Sequence, residues 1–140
     1  MSHLHIPPAL RRQVYERAGG QCEYCLIPDT LAFASHEIDH IIAQKHDGQT
    51  DETNLALACA LCNKHKGSDI ASIDPATGVI VPLFHPRRDR WLENFQLSGA
   101  EIIPLTPIGR ATVRLLKLNH PHRLIEREQL LITDIFNLPI

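Results

Sequence analysis

The chain has 140 residues, a length that fits one domain and leaves no room for a second core. Of these, 44% are hydrophobic and 5% aromatic, and a formal net charge of −2 excludes a strongly basic nucleic-acid coat. Four cysteines in two short pairs are too few and too regular for a disulfide-dense secreted scaffold.

Pro7-Pro8 followed by Ala9 to Ala18 predicts a short helix. Proline suits its first turn, Leu10, Val14 and Ala18 give it one apolar face, and Gly19-Gly20 stop it. Cys22-Glu23-Tyr24-Cys25 then forms a metal-gripping turn. His36 to Ile42 has strand character, Gln44 to Thr53 is a polar loop containing Gly48, and Leu55 to Ala58 is a second short strand. A helix starts near Cys59 to Asn63 and ends at Gly67. Asp74 to Gly78 is a turn into the apolar run Val79 to Phe84. Trp91 to Leu97 and Glu101 to Leu105 predict two more strands around Ser98-Gly99. Thr106-Pro107 opens a helix to about Leu118. His120-Pro121 opens another, whose Leu124, Ile125, Leu131, Ile132, Ile135 and Phe136 repeat at helical spacing. No internal repeat or linker interrupts residues 1–140, so a single α+β domain is expected.

Met1 to Ala9 lacks a basic segment followed by an apolar run, so no signal peptide is expected. The longest apolar run, Leu55 to Cys62, is far too short to cross a bilayer. A reducing, cytoplasmic setting away from the membrane follows, with thiols available for metal. Charge is unevenly spread. Arg87 to Arg127 holds 8 basic and 4 acidic residues, whereas Glu23 to Asp74 holds 9 acidic and 3 basic. An acidic segment that carries a divalent ion is less repulsive to DNA than its formal charge implies.

The pairs Cys22/Cys25 and Cys59/Cys62 can each supply two thiolates to one tetrahedral zinc. Four protein ligands leave no open position, so this ion is expected to be structural. The 33 residues between the pairs can be extruded as a hairpin that lets the two turns meet. The competing explanation is four buried or redox-active thiols.

Inside that hairpin lies Asp39-His40. Hydrolysis of a phosphodiester needs an activated water, a Lewis acid at the phosphate and protonation of the leaving oxygen. A histidine near neutral pKa suits the base role, and a carboxylate with an amide oxygen suits a hard divalent ion. Taken singly, each residue has a plainer explanation. Asn54 can be a turn residue, Asn63 a helix cap and Asp39-His40 a surface ion pair.

Taken together, the pattern resembles the HNH endonuclease family, which has the ββα-metal fold. The matching residues are Asp39-His40-Ile41-Ile42, then Asn54-Leu55-Ala56-Leu57, then Cys59-x-x-Cys62-Asn63-x-x-Lys66-Gly67. The entry Arg17-Ala18-Gly19-Gly20-Gln21-Cys22-Glu23-Tyr24-Cys25 also fits, and the likeness spans about residues 7–70. The resemblance implies a zinc-stapled ββα-metal core over 7–70, with 71–140 as a strand and helix extension packed on it. It implies that His40 deprotonates the attacking water and that Asn54 braces the loop holding it. Asp39 and Asn63 would hold the catalytic metal. Asn63 stands where histidine is frequent, which favours magnesium or manganese over softer ions. The implied substrate is DNA, cut to a 5′-phosphate and a 3′-hydroxyl. One site makes one nick, so a double-strand cut needs a homodimer or two visits.

His36, His46 and His65 lie nearby without an assigned catalytic role. Lys66 is a candidate phosphate contact, and Arg87-Arg88-Asp89-Arg90-Trp91 is the best basic cluster beside an aromatic. Arg110, Arg114 and Lys117 line one helix face, which is either a DNA contact or a solvated surface. The rival function is a non-catalytic zinc module that binds nucleic acid or a nuclease partner. It needs the cysteines but not Asp39, His40 or Asn63.

Overall fold

A computed structural model describes residues 5–133, 138 and 139. Its first helix, α1 (Pro8–Arg17), begins with proline at its first position and buries Val14. Gly19 and Gly20 follow at φ +64° and +71°, a conformation that favours glycine and ends the helix cleanly. Val14 packs with Ile6, Leu55 and Leu57. The Arg17 guanidinium donates to the carbonyls of Glu52 at 2.9 Å and Leu55 at 2.7 Å, docking α1 on the second strand.

The hairpin of β1 (Glu37–His40) and β2 (Leu55–Ala58) is antiparallel, with His40 opposite Leu55 and Glu37 opposite Ala58. All four residues of β2 are buried. Its two alanines leave room for α2 (Ala60–Lys66), which packs on both strands. Strand, strand and helix thus form the expected ββα unit, and Gly67 ends α2 at φ +52°. The expected polar loop between the strands contains one 3-10 turn, Gln44–His46.

Among the described residues, the remainder adds two more antiparallel hairpins and three helices. β3 (Ala71–Ile73) pairs with β4 (Ile80–Pro82) across the anticipated turn. A one-turn helix, α3 (Trp91–Asn94), leads into β5 (Phe95–Ser98), which pairs with β6 (Glu101–Pro104). Then come α4 (Pro107–Leu115) and α5 (Pro121–Thr133). One buried cluster joins Cys22, Cys25, Cys59 and Cys62 to Phe84, Trp91, Phe95, Ile102, Leu116, Leu118 and Leu130. The result is a small α+β structure of short strand pairs, as expected. Among the described residues no helix is long and apolar enough to cross a membrane.

Four departures from the sequence expectations have local causes. Trp91 to Asn94 form a helical turn rather than strand: the Asn94 side chain donates to the Arg90 carbonyl at 2.9 Å and accepts from Thr106 Oγ1 at 2.6 Å. β3 is too short to leave a periodic signal. α4 stops at Leu115, not Leu118, because Lys117 adopts φ +52° and Asn119 turns to bond both backbone groups of Ile102. Lys117 therefore lies off the helix, and Arg110 is taken up by Asp74. In α5 the buried face is Arg123, Arg127 and Leu130, while Ile125 and Ile132 are exposed. Ile135 and Phe136 lie outside the described residues.

Asp74 ties α4 to the β3–β4 hairpin. It accepts from Arg110 Nε at 2.8 Å and Nη2 at 2.9 Å, from the Ala76 amide at 3.0 Å and from Thr77 Oγ1 at 2.9 Å. The Arg110 bonds foremost hold its carboxyl well below the usual carboxylate range. A depressed folded pKa contributes stability that is complete above the unfolded value of about 3.9 and is lost only as pH falls toward the folded value. Carbon-13 NMR should therefore show Asp74 still ionised at acid pH where exposed aspartates titrate, down to the pH at which bound metal dissociates. Asp74→Asn should lower the melting temperature at neutral pH. Titration of Asp74 together with the exposed carboxylates would contradict this.

Candidate metal centre and active site

The two cysteine turns meet at the junction of β2 and α2. The four Sγ atoms lie within 4.8 Å of one another, all buried, and all four thiols are free of disulfides. A tetrahedral zinc with sulfurs at about 2.3 Å requires sulfur pairs ~3.8 Å apart. The Cys25–Cys59 pair stands at 3.6 Å, so the cluster fits zinc. The Cys25 amide donates to Cys22 Sγ and the Cys62 amide to Cys59 Sγ, each at 3.4 Å, which folds each pair back on itself. Leu26 closes the first turn at φ +72° while fully buried. That strained conformation lets its amide reach the Cys22 carbonyl at 3.0 Å.

The charge of such a cluster is met by α5. Arg123 Nη1 donates to Cys62 Sγ at 3.2 Å. Burial disfavours the Arg123 charge, but attraction to Cys62, Cys25 and Cys59 outweighs it and raises its pKa. Hydrogen bonds from Cys22, Cys25 and Cys62 hold the Cys59 thiol well below its ordinary value. Arg127 donates to the carbonyls of Ala100 at 2.6 Å, Leu118 at 2.5 Å and Cys25 at 3.3 Å. Neither arginine was anticipated as an interior residue, since a charged side chain in a helix ordinarily reads as surface.

Thirteen residues of loop separate Asp39-His40 from Asn54 in sequence only. Asn54 is 7% exposed and clamps the loop at three points. Its Oδ1 accepts from the Ile42 amide, and its Nδ2 donates to the carbonyls of Ile42 and Gln49, all at 2.9 Å. Gly48 makes this closure feasible. A Cβ there would stand 1.6 Å from the Ile42 oxygen and 2.9 Å from Asn54 Nδ2. The clamp brings Thr50 to His40, whose Nε2 lies 2.9 Å from Thr50 Oγ1. Gln44 Nε2 donates to the same hydroxyl at 3.4 Å. The His40 ring is half-buried. Burial lowers its pKa, opposed by the Asp39 charge and reinforced by Lys66. Its neutral form therefore prevails at neutral pH.

Asp39 points the other way and is 3% exposed. Tyr24 Oη donates to its Oδ2 at 2.7 Å, and Lys66 Nζ lies 3.2 Å from the same oxygen. Burial raises its pKa, against the pull of Lys66 and Tyr24. Asn63, half-buried on α2, donates to the Glu37 carboxylate at the start of β1. Glu37, Tyr24 and Thr50 were missed by sequence reasoning. The i, i+2 relation of Glu37 to Asp39 on one strand face was the available signal for the first.

Two of the anticipated DNA contacts are turned inward. Lys66 is 2% exposed, and its ammonium donates to the carbonyls of Ile41 at 2.9 Å and His40 at 3.3 Å as well as to Asp39. It is an internal brace between α2 and β1 with its donors spent, not a phosphate contact. Arg87 pairs with Glu23, whose Oε2 also accepts from the Leu57 amide. Arg88 and Arg90 are exposed, with Glu93 3.9 Å from Arg90.

Residues 22–69 match the family model described as HNH endonuclease. Over 59 residues, 41% of this chain, the sequence is 39% identical to the CRISPR-associated endonuclease Cas9 of Corynebacterium diphtheriae. That stretch spans 5% of the length of the Cas9 chain. No solved structure matches significantly. The segment that holds the four-cysteine cluster fit for zinc and the ββα unit, residues 22–69, is thus the part of the chain that is similar to the HNH endonuclease family.

Proposed function

We propose that the chain is a metal-dependent DNA endonuclease in which His40 is the general base. The observation that carries this is the half-exposed His40 ring at the end of β1, held by Thr50 inside the matched HNH segment. With Nε2–H donated to Thr50 Oγ1, the lone pair of Nδ1 is left for the attacking water. Asn54 acts through the loop, keeping Thr50 against the ring. Asp39 and Asn63 hold the catalytic ion, and their carboxylate and amide oxygens suit magnesium or manganese. When bound, that ion supplies Lewis acidity at the scissile phosphate and stabilises the departing 3′ oxygen. In this reading the exposed Arg88 and Arg90 meet the DNA backbone. The strands and helices from Ala71 to Thr133 serve as an extension of the same domain, joined to it in the buried cluster around the four cysteines.

The test is direct. Purified, zinc-loaded protein should convert supercoiled plasmid to nicked circles with magnesium or manganese, leaving 5′-phosphate and 3′-hydroxyl ends. Chelation of the added metal should stop the reaction. Absence of nicking with every divalent metal tried would overturn the proposal.

A further inference from the structure

Strand β1 carries a second carboxylate beside the proposed site. Glu37 and Asp39 are two residues apart and share a strand face. Their surroundings differ sharply. Asp39 is interior, and its charge is matched by the single ammonium of Lys66 at 3.2 Å. Asn63 brings no charge. A ligand set of Asp39 and Asn63 alone, with Lys66 pressed against it, therefore offers a divalent cation no net negative charge. Hard cations draw on anionic oxygens, from one or two carboxylates and from substrate phosphate, so before DNA arrives an unbalanced carboxylate strengthens such a site. Glu37 is exposed, and among the described residues its side chain is engaged only by Asn63, the ligand candidate on α2.

Resting on the nuclease reading above, we propose that Glu37 is a third protein ligand of the catalytic metal, joining Asn63 on the solvent side of the site. A half-turn of the Asn63 amide replaces Nδ2 by Oδ1. The pair that now shares a hydrogen bond then faces the ion with two oxygens. Lys66 keeps Asp39 and the backbone of His40 in register, while Glu37 supplies the charge that Lys66 cancels at Asp39.

The experiment measures manganese binding to zinc-loaded protein without DNA, by the electron paramagnetic resonance signal of free Mn²⁺. Wild type is compared with Glu37→Gln and Asn63→Ala. Glutamine keeps an oxygen to accept from Asn63 but loses the charge. A residue that merely orients Asn63 tolerates that change; an anionic ligand does not. Glu37→Gln should weaken manganese binding by at least ~10-fold, with zinc content and melting temperature unchanged. Manganese affinity equal to wild type in Glu37→Gln, or no manganese binding by wild type, would overturn the assignment. Plasmid nicking by the same preparations separates the two claims. Nicking by wild type with unaltered manganese affinity in Glu37→Gln sinks Glu37 alone. Manganese binding that depends on Glu37, without nicking by wild type, supports the ligand and sinks the nuclease reading.

Discussion

Replacing His40 with alanine should slow plasmid cleavage by roughly 10²- to 10⁴-fold, the span that a positioned general base contributes. The loss should appear in kcat, with zinc content and DNA affinity nearly unchanged, because the ring touches neither the cysteines nor the exposed arginines. His40 sits at the last position of β1, and truncation removes one contact, to Thr50 Oγ1. The clamp under it is independent of the ring. Asn54 bonds to Ile42 and Gln49 through backbone groups that alanine at position 40 retains. Lys66 likewise reaches the carbonyl of residue 40, not its side chain. The variant should therefore fold and melt like wild type. Burial keeps the imidazole neutral at neutral pH, so the base needs no alkaline medium to work. Asn54→Ala should give a different signature, with slowed cleavage accompanied by a loosened loop and lower stability. Near-normal cleavage by His40→Ala, measured as single-turnover rate at saturating protein, would remove His40 from the base role.

The chemistry-bearing spacings were legible because they are local. Paired cysteines, Asp39-His40 and Asn54-Leu55 each keep a fixed offset from a strand or helix end, and the ββα unit follows from their order. What escaped was chemistry decided by tertiary burial. Lys66 and Arg87 carry the same charge as Arg88 and Arg90, yet the first two are spent on Asp39 and Glu23. No sequence signal separates a lysine over a strand from one over solvent. The same holds in α5. Its apolar residues at helical spacing predicted a conventional hydrophobic face, but Arg123 and Arg127 occupy the buried side. Their burial makes sense only beside the cysteine cluster, and the Cys62 thiol that Arg123 meets and the Cys25 carbonyl that Arg127 meets lie 61 and 102 positions away. Trp91 to Asn94 were misread for a related reason. The aromatic and apolar residues suit a strand, but Trp91 Nε1 must reach the Tyr24 carbonyl at 3.0 Å, and the chain turns to allow it.

Stripping zinc should unfold the extension together with the core, in one transition. Structural zinc in small sites contributes roughly 10–16 kcal/mol of apparent binding free energy, comparable to the whole stability of a domain this size. The cysteines here belong to the same buried cluster as Phe84, Trp91, Phe95 and Leu130, so among the described residues the extension shows no separate core to fall back on. Trp91 is the chain's one tryptophan, and it donates to a carbonyl inside the first cysteine turn. Its fluorescence therefore reports the metal turn and the extension at once. A strong chelator should red-shift that emission in step with loss of helical circular dichroism. Cys59→Ser should shift the same transition to lower chelator concentration, and Arg123→Met should do so while leaving all four sulfurs in place. The Arg123 effect is electrostatic. Four thiolates around a dication leave two net negative charges in the interior, and the guanidinium at Cys62 Sγ is the nearest compensation from α5. Loss of that contact should weaken zinc binding by ~10- to 100-fold. Arg123→Lys should recover little, because a point charge on a flexible stem cannot span Cys62 Sγ and the Leu116 carbonyl as the guanidinium does. A chelated protein that kept its Trp91 emission and helical signal would show that packing alone holds the extension, and the coupling through Arg123 would then be wrong.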